Sequence, residues 1–469
     1  MTALTTEAAH ARICAVERER DLLRHQIDGW SVWPLLRHEV GHLLTGVSFG
    51  GRSAMSRGQR LALAAGSLPR LAFARRARHL VKTYSSGLLE QTGDRFKDIW
   101  FDDLILAIGS AFKLELINNA RFLERRERAL VPSDATTNAL EFAGAFLRRT
   151  RRAPRAIADI SNAIATVLRN DLGLDGVTAA WVFERIEWFH WMKPVYAMLL
   201  RRVRPEAVLV ADPGEHALVA AAKEAGCTTI EVQHGINDRS HSGYMWTDYA
   251  LPFKAAMPVS DRFFLYGEHW RRELASGGFW GDSLRVVGSS RLDSYRERAA
   301  RDEGRETRVL VTTQGFETDR VAAFVVEAQR HCDVPVRITI RMHPVMEQSK
   351  EPYLSRGLTD VLAGDEGPST FDLLRRSDLH VSISSACHYD AIGLGVPTAI
   401  LPLTLHEIVL PLHAAGHAHL ARTPADLAAI IRDARGNRVA PEVSEYYFRS
   451  GALENMRAEL ESAVRERSA

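Results

Sequence analysis

The stretch LHVSISSACHYDAIGLGVPTAIL, residues 379–401, and VRITIRMHP, residues 336–344, predict the fold of this chain. Each is typical of a short buried strand that ends in polar residues where a loop or helix begins. In the longer stretch a helical pattern follows Ser384 and Ser385, stops at Gly395 and gives way to another strand. Consecutive β-α units of this kind predict a parallel sheet with crossover helices.

Polar side chains cluster where these predicted strands end. A serine pair before a helix offers hydroxyls and free backbone N–H groups, which can hold an anion without a metal. Arg341 and His343, at the end of the neighbouring strand, would bring positive charge to the same edge. The sequence therefore predicts a cradle for a nucleotide mono- or diphosphate. Ser-Ser as an ordinary helix N-cap and His-Pro as a simple strand terminator stay open as alternatives.

The strand RVLVTTQG, residues 308–315, adds further polar groups to this edge. Thr313 and Gln314 follow its apolar core, and Gly315 would let the backbone approach a ligand closely. The sequence contains no Asp-x-Asp triplet. We therefore expect no metal and no cofactor, with charge on a departing nucleotide stabilised by Arg341, His343 and a helix dipole.

An earlier series of alternating strands and helices begins near Pro205. Its strand AVLVAD ends at Asp212, and its strand TTIEVQHG ends with His234 before a glycine. A carboxylate at the end of a buried strand is partly desolvated and has the raised pKa that a general base needs. Asp212 is the predicted base, with capping of the following helix as the alternative. His234 is the second candidate, as a base or as a phosphate contact. The same strand ends and loops also carry Glu215, His216, Glu231, Asp238 and His241.

The two series predict an α/β protein with two Rossmann-like domains facing across a cleft and a largely helical N-terminal region. A charged stretch that is poor in apolar residues separates the two series and predicts a linker. The expected divisions are a helical N-terminal part of the first domain (1–203), its Rossmann-like core (204–293), the linker (294–307), a second Rossmann-like domain (308–436) and a C-terminal helix (437–469).

The N-terminal region contains HEVGH at residues 38–42, which matches the H-E-x-x-H pattern of zinc proteases. No third ligand can be picked out in the sequence, and Gly41 weakens the helix on which the two histidines would lie. A surface or interface helix is therefore favoured over a zinc site.

Residues 57–82 alternate apolar residues with arginine and lysine and contain no acidic residue. Such a basic amphipathic stretch is typical of contact with an anionic membrane surface. A solvated helix face that packs on its own domain is the equal alternative. No run of about 18 apolar residues occurs, so no transmembrane segment is expected.

Composition limits the class of protein. The 469 residues suffice for two or three domains, and 46% hydrophobic and 25% charged residues are ordinary globular values. A formal net charge of +2 gives no reason to expect a nucleic-acid partner. The 4 cysteines lack metal-binding spacing and the N-terminus lacks the apolar core of a signal peptide, which favours a reducing cytoplasm.

Three motifs together resemble those of bacterial surface-polysaccharide glycosyltransferases of the GT-B type. They are QHG followed by HSGY in residues 233–244, RMHP in 341–344, and SISSA with GLGVP in 382–397. The resemblance covers roughly residues 204–403 and is greatest to the CMP-sugar enzymes, namely bacterial sialyltransferases and the Kdo transferases of capsule and O-antigen synthesis. IDGWSVWPLLR, residues 27–37, also resembles the N-terminus of such capsule proteins. The CDP-glycerol glycerophosphotransferases of teichoic acid synthesis are similar in the same motifs.

The resemblance implies that residues 1–293 form the acceptor-side domain and residues 308–436 the nucleotide-sugar-binding domain. It also implies roles for several residues. It implies that His343, Ser384 and Ser385 bind the nucleotide phosphate, and that a catalytic carboxylate at a strand end of the first domain matches Asp212. The sialyltransferase D/E-D/E-G pattern is not reproduced, so the base and the inverting or retaining outcome stay open. In the glycerophosphotransferases the proposed base is the histidine of an HG dipeptide, which maps to His234.

These observations predict a cytoplasmic, metal-independent glycosyltransferase at the inner face of the membrane. It would move a sugar such as Kdo or a sialic-acid-like sugar from a CMP-activated donor to a surface polysaccharide or lipid-linked acceptor. The cytidine preference comes from the resemblance alone. A CDP-glycerol-type glycerophosphotransferase, a UDP-sugar 2-epimerase, which needs no acceptor, and a non-catalytic polysaccharide-assembly protein are the alternatives.

Overall fold

The structure is a computed structural model that describes residues 4–46, 55–117, 119–296, 306–344, 346–347, 349–364 and 366–468. These residues form two compact units. Unit 1 contains the described residues up to 288 and those from 451 onward, and unit 2 contains those between 289 and 450.

Unit 1 is an α/β unit built on a parallel sheet. Its strands in the described part of the chain are β1 (Gln26–Ile27), β2 (Trp30–Ser31), β3 (His79–Tyr84), β4 (Leu88–Thr92), β5 (Arg95–Asp98), β6 (Ala111–Leu116), β7 (Ala135–Thr136), β8 (Ala207–Val210), β9 (Thr228–Val232), β10 (Arg262–Leu265) and β11 (Leu284–Val286). β1 pairs with β2 and β4 with β5, each antiparallel. The other strands form the parallel sheet, in the order β7-β6-β3-β8-β9-β10-β11.

Helices cover this sheet. Those before residue 288 are α1 (Thr6–Glu19), α2 (Pro34–Thr45), α3 (Arg57–Ala72), α4 (Asp102–Ile108), α5 (Leu123–Glu127), α6 (Asn138–Thr150), α7 (Arg155–Asn170), α8 (Ala179–Val203), α9 (His216–Glu224) and α10 (Glu268–Ala275). The order of the strands reverses between β3 and β8. The carboxyl ends of these two strands are therefore the topological switch point, where open α/β sheets bind ligands.

Unit 2 has the same kind of sheet. Its described strands are β12 (Thr307–Thr312), β13 (Val336–Arg341), β14 (Val361–Leu362), β15 (Leu379–Ser382), β16 (Thr398–Ile400) and β17 (His419–Leu420). All are parallel, in the order β14-β13-β12-β15-β16-β17, so the switch point lies between β12 and β15. Its described helices are α11 (Ser290–Arg296), α12 (Thr318–His331), α13 (Glu351–Leu354), α14 (Thr370–Arg376), α15 (Cys387–Gly393), α16 (Leu410–Ala414), α17 (Pro424–Ala434) and α18 (Pro441–Tyr447).

The last helix, α19 (Ala452–Ser468), belongs to unit 1. Alternate residues of the central strands enter cores on opposite faces of the unit 1 sheet. Val208 of β8 packs with α8 and α9, whereas Leu209 packs with α4 and with Leu460 of α19. Because both faces are covered, the central strand β8 is apolar along its whole length, as is typical of a parallel sheet.

The predicted fold class is confirmed in that the chain forms two Rossmann-like α/β units, each built on a parallel sheet. The N-terminal region is largely helical, but it also supplies β3, β6 and β7 of the first sheet. Most of β3 was missed because its residues were assigned to the basic stretch 57–82, and β6 and β7 were missed because helical patterns dominate the sequence around them.

Two predicted segments differ from the observed elements. Within the expected linker, α11 continues to Arg296 and β12 begins at Thr307, while 297–305 lie outside the described residues. The single helix expected over 437–469 is two helices, α18 in unit 2 and α19 in unit 1. Extended backbone at Phe448 ends the first, and Gly451, with φ of 75°, turns the chain into the second.

Candidate active site

The two candidate bases follow adjacent strands of unit 1. Val210, the last residue of β8, pairs with Glu231 of the parallel strand β9. Asp212 and His234 come just after these strands and therefore emerge side by side at the carboxyl edge of the sheet. Asp212 lies at the switch point itself, where the sequence predicted a base.

Asp212 is held by a turn and does not cap the following helix. Its Oδ1 accepts a hydrogen bond from the Gly214 backbone N at 2.6 Å. The residue in the N-cap position of α9 is Glu215, which makes no side-chain capping bond. The helix-capping alternative for Asp212 is therefore not what the structure shows. Its half-buried carboxylate lies over the end of the sheet.

A buried ion pair spans the switch point beside Asp212. The Lys82 ammonium of β3 pairs with the Glu215 carboxylate, and the Tyr84 hydroxyl donates to the other oxygen of that carboxylate. Burial lowers the pKa of Lys82, but the charges and hydrogen bonds of Glu215 and Tyr196 together outweigh burial and leave the pKa raised. The sequence assigned Lys82 to a surface stretch, and that assignment is wrong because its side chain is buried in β3. A lysine within the apolar run HLVKTY was the available signal.

Glu231 is a buried acid close to Asp212. Burial raises its pKa to about 8, so the side chain is a neutral carboxylic acid at neutral pH. It accepts a hydrogen bond from the Tyr244 hydroxyl. Glu231 and Asp212 line a cavity of about 10 Å³, roughly the size of one water molecule, together with His216 and Ser260.

His234 is half-buried among aromatic rings. Its ring centroid lies 6.4 Å from that of Trp100 and 6.4 Å from that of Tyr244. Its Nδ1 is buried and has no hydrogen-bond partner among the described residues. Burial lowers the pKa of His234, and Asp212 opposes this shift. The imidazole is therefore neutral near pH 7 and able to accept a proton.

The motif IDGWSVWPLLR anchors α2 onto the loop that carries HSGY. The fully buried Arg37 pairs with Glu17 at 2.7 Å and donates to the backbone carbonyl of Ser242. Trp33 Nε1 also donates to Glu17, at 2.7 Å, and the Arg37 guanidinium lies 4.2 Å from the Trp246 ring centroid. The motif therefore fixes the loop that leads from His234 to Tyr244.

HEVGH in α2 packs against the same loop. A Cβ on Gly41 would lie 2.4 Å from Ser242 Oγ, so only glycine permits this approach. The His38 ring stacks on that of His241, with centroids 5.0 Å apart. Among the residues that the structure describes, no group of three or more His, Cys, Asp or Glu side chains could hold a metal ion. The helix packs against this loop through its buried face.

In unit 2, hydrogen bonds join the two sides of the switch point. Gln314, which follows β12, donates through Nε2 to Ser384 Oγ at 3.0 Å. The Ser384 backbone N donates to Gln314 Oε1 at 3.1 Å. The structure thus brings together two of the residues that the sequence predicted for phosphate binding.

Ser385 is next to this pair and closes a turn. Its Oγ accepts from the Cys387 backbone N at 3.2 Å. The helix that follows, α15, has only seven residues, and Ala386 occupies its N-cap position. The turn therefore places the hydroxyls of Ser384 and Ser385 directly before α15.

The other predicted phosphate ligands are bonded to residues of the loops at this edge. The Thr313 hydroxyl donates to the Glu347 carboxylate. The Arg341 guanidinium donates to the backbone carbonyl of Glu366. His343 Nδ1 accepts from the Met346 backbone N at 3.1 Å. These bonds shape the loops around the switch point.

Gly315 also has a different neighbour from the one expected. Its φ is 76°, and a Cβ there would lie 2.6 Å from the Met346 backbone carbonyl. The glycine therefore allows the loop after β13 to pack closely against it, whereas the sequence predicted the close approach of a ligand at this position.

Sequence reasoning missed a buried histidine network beneath this edge. His380 Nε2 and the Thr312 hydroxyl are 2.9 Å apart, and the Thr398 hydroxyl lies 2.8 Å from His380 Nδ1 and 2.6 Å from His388 Nδ1. Burial lowers the pKa of His388 to about 4 and that of His380 well below its usual value, so both are neutral. The network ties β12, β15 and β16 together. Single histidines in apolar strands give no signal of such pairing.

Comparisons with known proteins found distant structural similarity and no matching family. No protein-family model matches the sequence, and no curated protein gives a significant match. Similar solved structures include UDP-GlcNAc 2-epimerase from Methanocaldococcus jannaschii (13% identity, TM-score 0.48, 82% of this chain and 99% of that chain). They also include UDP-GlcNAc 2-epimerase from Neisseria meningitidis bound to UDP-GlcNAc (13%, 0.47, 82% and 100%) and MurG from Acinetobacter baumannii (11%, 0.44, 82% and 99%). At such low identities and scores, no activity is assigned from these proteins.

Proposed function

We propose that this protein is a glycosyltransferase that uses a nucleotide-activated sugar. The observation that carries the proposal is the pair of switch points. Each unit has an open parallel sheet whose strand order reverses once, and each places polar side chains at that reversal. Ligands of α/β proteins bind at such points. One switch point carries groups suited to proton transfer, and the other carries groups suited to holding a phosphate.

Unit 2 is the nucleotide-binding unit in this proposal. The Gln314 amide and the hydroxyls of Ser384 and Ser385 offer hydrogen bonds to phosphate oxygens, and His343 follows the neighbouring strand β13. Oxygen atoms of a phosphate accept such bonds without a metal. We therefore propose a metal-independent enzyme with no resident cofactor. A CMP-linked donor is proposed from the resemblance of the motifs, and Arg341 and Thr313 support this site by fixing its loops.

Unit 1 supplies the base. Asp212, or the neutral His234 beside it, takes the proton of an acceptor hydroxyl while the hydroxyl oxygen forms a bond to the anomeric carbon of the sugar. The bond from that carbon to the nucleotide oxygen breaks, and the nucleotide leaves with the electron pair. The acceptor in this proposal is a surface polysaccharide or a lipid-linked glycan. The location is the cytoplasm, which suits the four free cysteines.

A ligand panel tests the proposal. Thermal unfolding is measured with CMP, CDP, UMP, UDP and GDP, with and without magnesium. A ligand at about 100 times its dissociation constant stabilises the fold by about 2.7 kcal/mol. We expect CMP to stabilise the protein equally well with and without magnesium.

Other outcomes separate the parts of the proposal. Stabilisation by UDP or GDP in place of CMP would keep the transferase and overturn the cytidine donor. Conversion of a UDP-sugar to its epimer without an acceptor would overturn glycosyl transfer. If no nucleotide shifts the unfolding temperature, the phosphate site at Gln314 and Ser384 is wrong.

A further inference from the structure

Helix α3 buries little of its surface. It begins at a capping box formed by Ser56 and Gln59, and its buried residues are Ala64, Ser67 and Leu71. Ser67 Oγ accepts from the Thr136 backbone N at 3.0 Å, so α3 covers the edge strand β7. The rest of the helix faces away from the core of unit 1.

The outward side of α3 is apolar. Leu61, Ala65, Leu68 and Ala72 are all exposed, and their spacing places them in one stripe along the helix. Leu61 and Leu68 are each 57% exposed, and Phe73 after the helix is 87% exposed. A soluble surface helix normally presents polar residues on this side. An apolar outer stripe therefore indicates a surface that something else covers.

Helix α6 extends this apolar surface. It packs beside α3, since Ala139 and Leu140 join the same core cluster as Ala64 and Leu71. On its exposed side, Phe146 is 66% exposed and Phe142 is 43% exposed, one turn apart. We call Leu61, Leu68, Phe73, Phe142 and Phe146 the α3–α6 surface.

Arginines surround the α3–α6 surface. Arg57 and Arg60 lie in the first turn of α3, and Arg149, Arg151 and Arg152 lie at the end of α6 and just after it. All five are exposed. None of them forms an ion pair within the described ranges of the chain. The sequence from Met55 to Leu89 contains no acidic residue, so the positive charge of this side is not neutralised locally.

The structure also narrows the basic stretch of the sequence. Beyond α3, Arg75 pairs with Asp134 at 3.4 Å and Arg78 with Glu206 at 2.6 Å, while Lys82 is buried. Of the basic stretch predicted over 57–82, only the part up to about Arg76 therefore belongs to this exposed basic surface. The rest of the surface is formed by α6, a helix that the sequence analysis did not connect with this basic stretch.

We propose that the α3–α6 surface docks on an anionic lipid bilayer. Exposed leucine and phenylalanine side chains enter the boundary of the acyl chains, and the surrounding arginines contact the acidic head groups. A second copy of the chain is a poorer partner, because a two-fold contact through this surface would bring arginines against arginines. Nucleic acid is also poorer, since it leaves the apolar side chains in water. No helix among the described residues is long and apolar enough to cross a membrane, so contact would be peripheral.

Vesicle flotation tests the docking surface with the full chain. We expect the protein to float with vesicles of phosphatidylcholine and phosphatidylglycerol, less with phosphatidylcholine alone, and less as salt rises. Replacing Arg57 and Arg60 by alanine should weaken binding about fivefold for each arginine. The triple variant Leu61→Ser, Leu68→Ser, Phe146→Ser should abolish flotation.

Control variants use exposed residues of the same types elsewhere on the protein. Leu251 and Leu354 are 46% and 45% exposed, and their replacement by serine should leave flotation unchanged. Arg330→Ala and Arg465→Ala serve as charge-matched controls on other helices. Unfolding temperature shows that each variant is folded.

Three results would overturn the proposal. They are failure of the protein to float with anionic vesicles, equal flotation of the triple variant, and a change of the triple variant from dimer to monomer in light scattering. Nucleotide binding is measured without vesicles. Failure of docking is thus distinguishable from failure of the proposed transferase.

Discussion

The switch points of the two units share a topology and differ in chemistry. In unit 1 the reversal between β3 and β8 is lined by ionisable groups, with Asp212, Glu231 and His234 around one sheet edge. In unit 2 the reversal between β12 and β15 is lined by an amide and hydroxyls, with Gln314 bonded to Ser384. Where unit 2 has buried histidines, they are neutral and bonded to threonines.

In the proposed function, this difference divides two tasks between two units of one fold type. Partly desolvated acids and imidazoles can donate or accept protons near neutral pH, because their environments shift their pKa values away from the usual ones. Amides and hydroxyls stay uncharged at every ordinary pH, and they can hold a ligand through hydrogen bonds of fixed geometry. Substitutions in unit 1 should therefore change turnover, and substitutions in unit 2 should change affinity.

The largest effect is expected for Asp212→Asn. Asparagine keeps the oxygen that accepts from Gly214 but cannot take a proton, so turnover should fall about 10²- to 10⁴-fold. Nucleotide binding and unfolding temperature should stay near those of the unchanged protein. Steady-state kinetics and the ligand panel measure both.

The comparison variants for Asp212 are Asp212→Ala and His234→Asn. Loss of stability without loss of turnover in Asp212→Asn would mean that the carboxylate is structural. If His234→Asn abolishes turnover and Asp212→Asn does not, the base is His234, and Asp212 only opposes the lowering of its pKa.

A smaller effect, on stability, is expected for Glu231→Gln. Burial raises the pKa of Glu231 from its usual 4.5 to about 8. Between these values the unfolded chain loses the proton and the folded protein keeps it, so the free energy of unfolding falls as pH rises. Each pKa unit corresponds to about 1.4 kcal/mol, so the total is a few kcal/mol.

Glutamine cannot titrate, so the difference between the two proteins isolates this group. In urea unfolding, Glu231→Gln should gain stability relative to the unchanged protein as pH rises from about 4.5 to about 8, and the gain should level off above that. A difference that is constant with pH would show that Glu231 is not a buried neutral acid. It would also remove one of the contrasts between the two switch points.

The sequence was sufficient for the features that repeat along the chain. Apolar strands followed by polar residues predicted both parallel sheets, and the residues placed at the strand ends include Asp212 and Gln314, which the structure puts at the switch points. Strand-end position follows from chain order, because the carboxyl ends of parallel strands share one edge.

The features that the sequence did not reveal depend on contacts between distant segments. Lys82 was assigned to a basic surface stretch, and its partner Glu215 lies 133 residues away. HEVGH matched a metal-binding pattern, but in the structure its Gly41 leaves the space that the Ser242 side chain occupies. Neither pairing has a periodicity or spacing that one sequence can display.

The smallest effect, and the one that completes the comparison, is expected in unit 2. Gln314→Ala removes one amide and leaves Ser384 without its partner. A hydrogen bond to a charged group contributes about 1.5–3 kcal/mol, so nucleotide affinity should fall about 10- to 100-fold. Gln314→Glu keeps the size and the acceptor for the Ser384 backbone N, but it places a negative charge where a phosphate would bind, and should weaken affinity further.

Ser355→Ala, which removes a hydroxyl bonded to the Glu351 carbonyl at 2.7 Å in the same unit, should leave affinity unchanged. Turnover at saturating donor should hardly change in Gln314→Ala. A loss of turnover with unchanged affinity would instead place a reacting group in unit 2, and the division of tasks between the two switch points would be wrong.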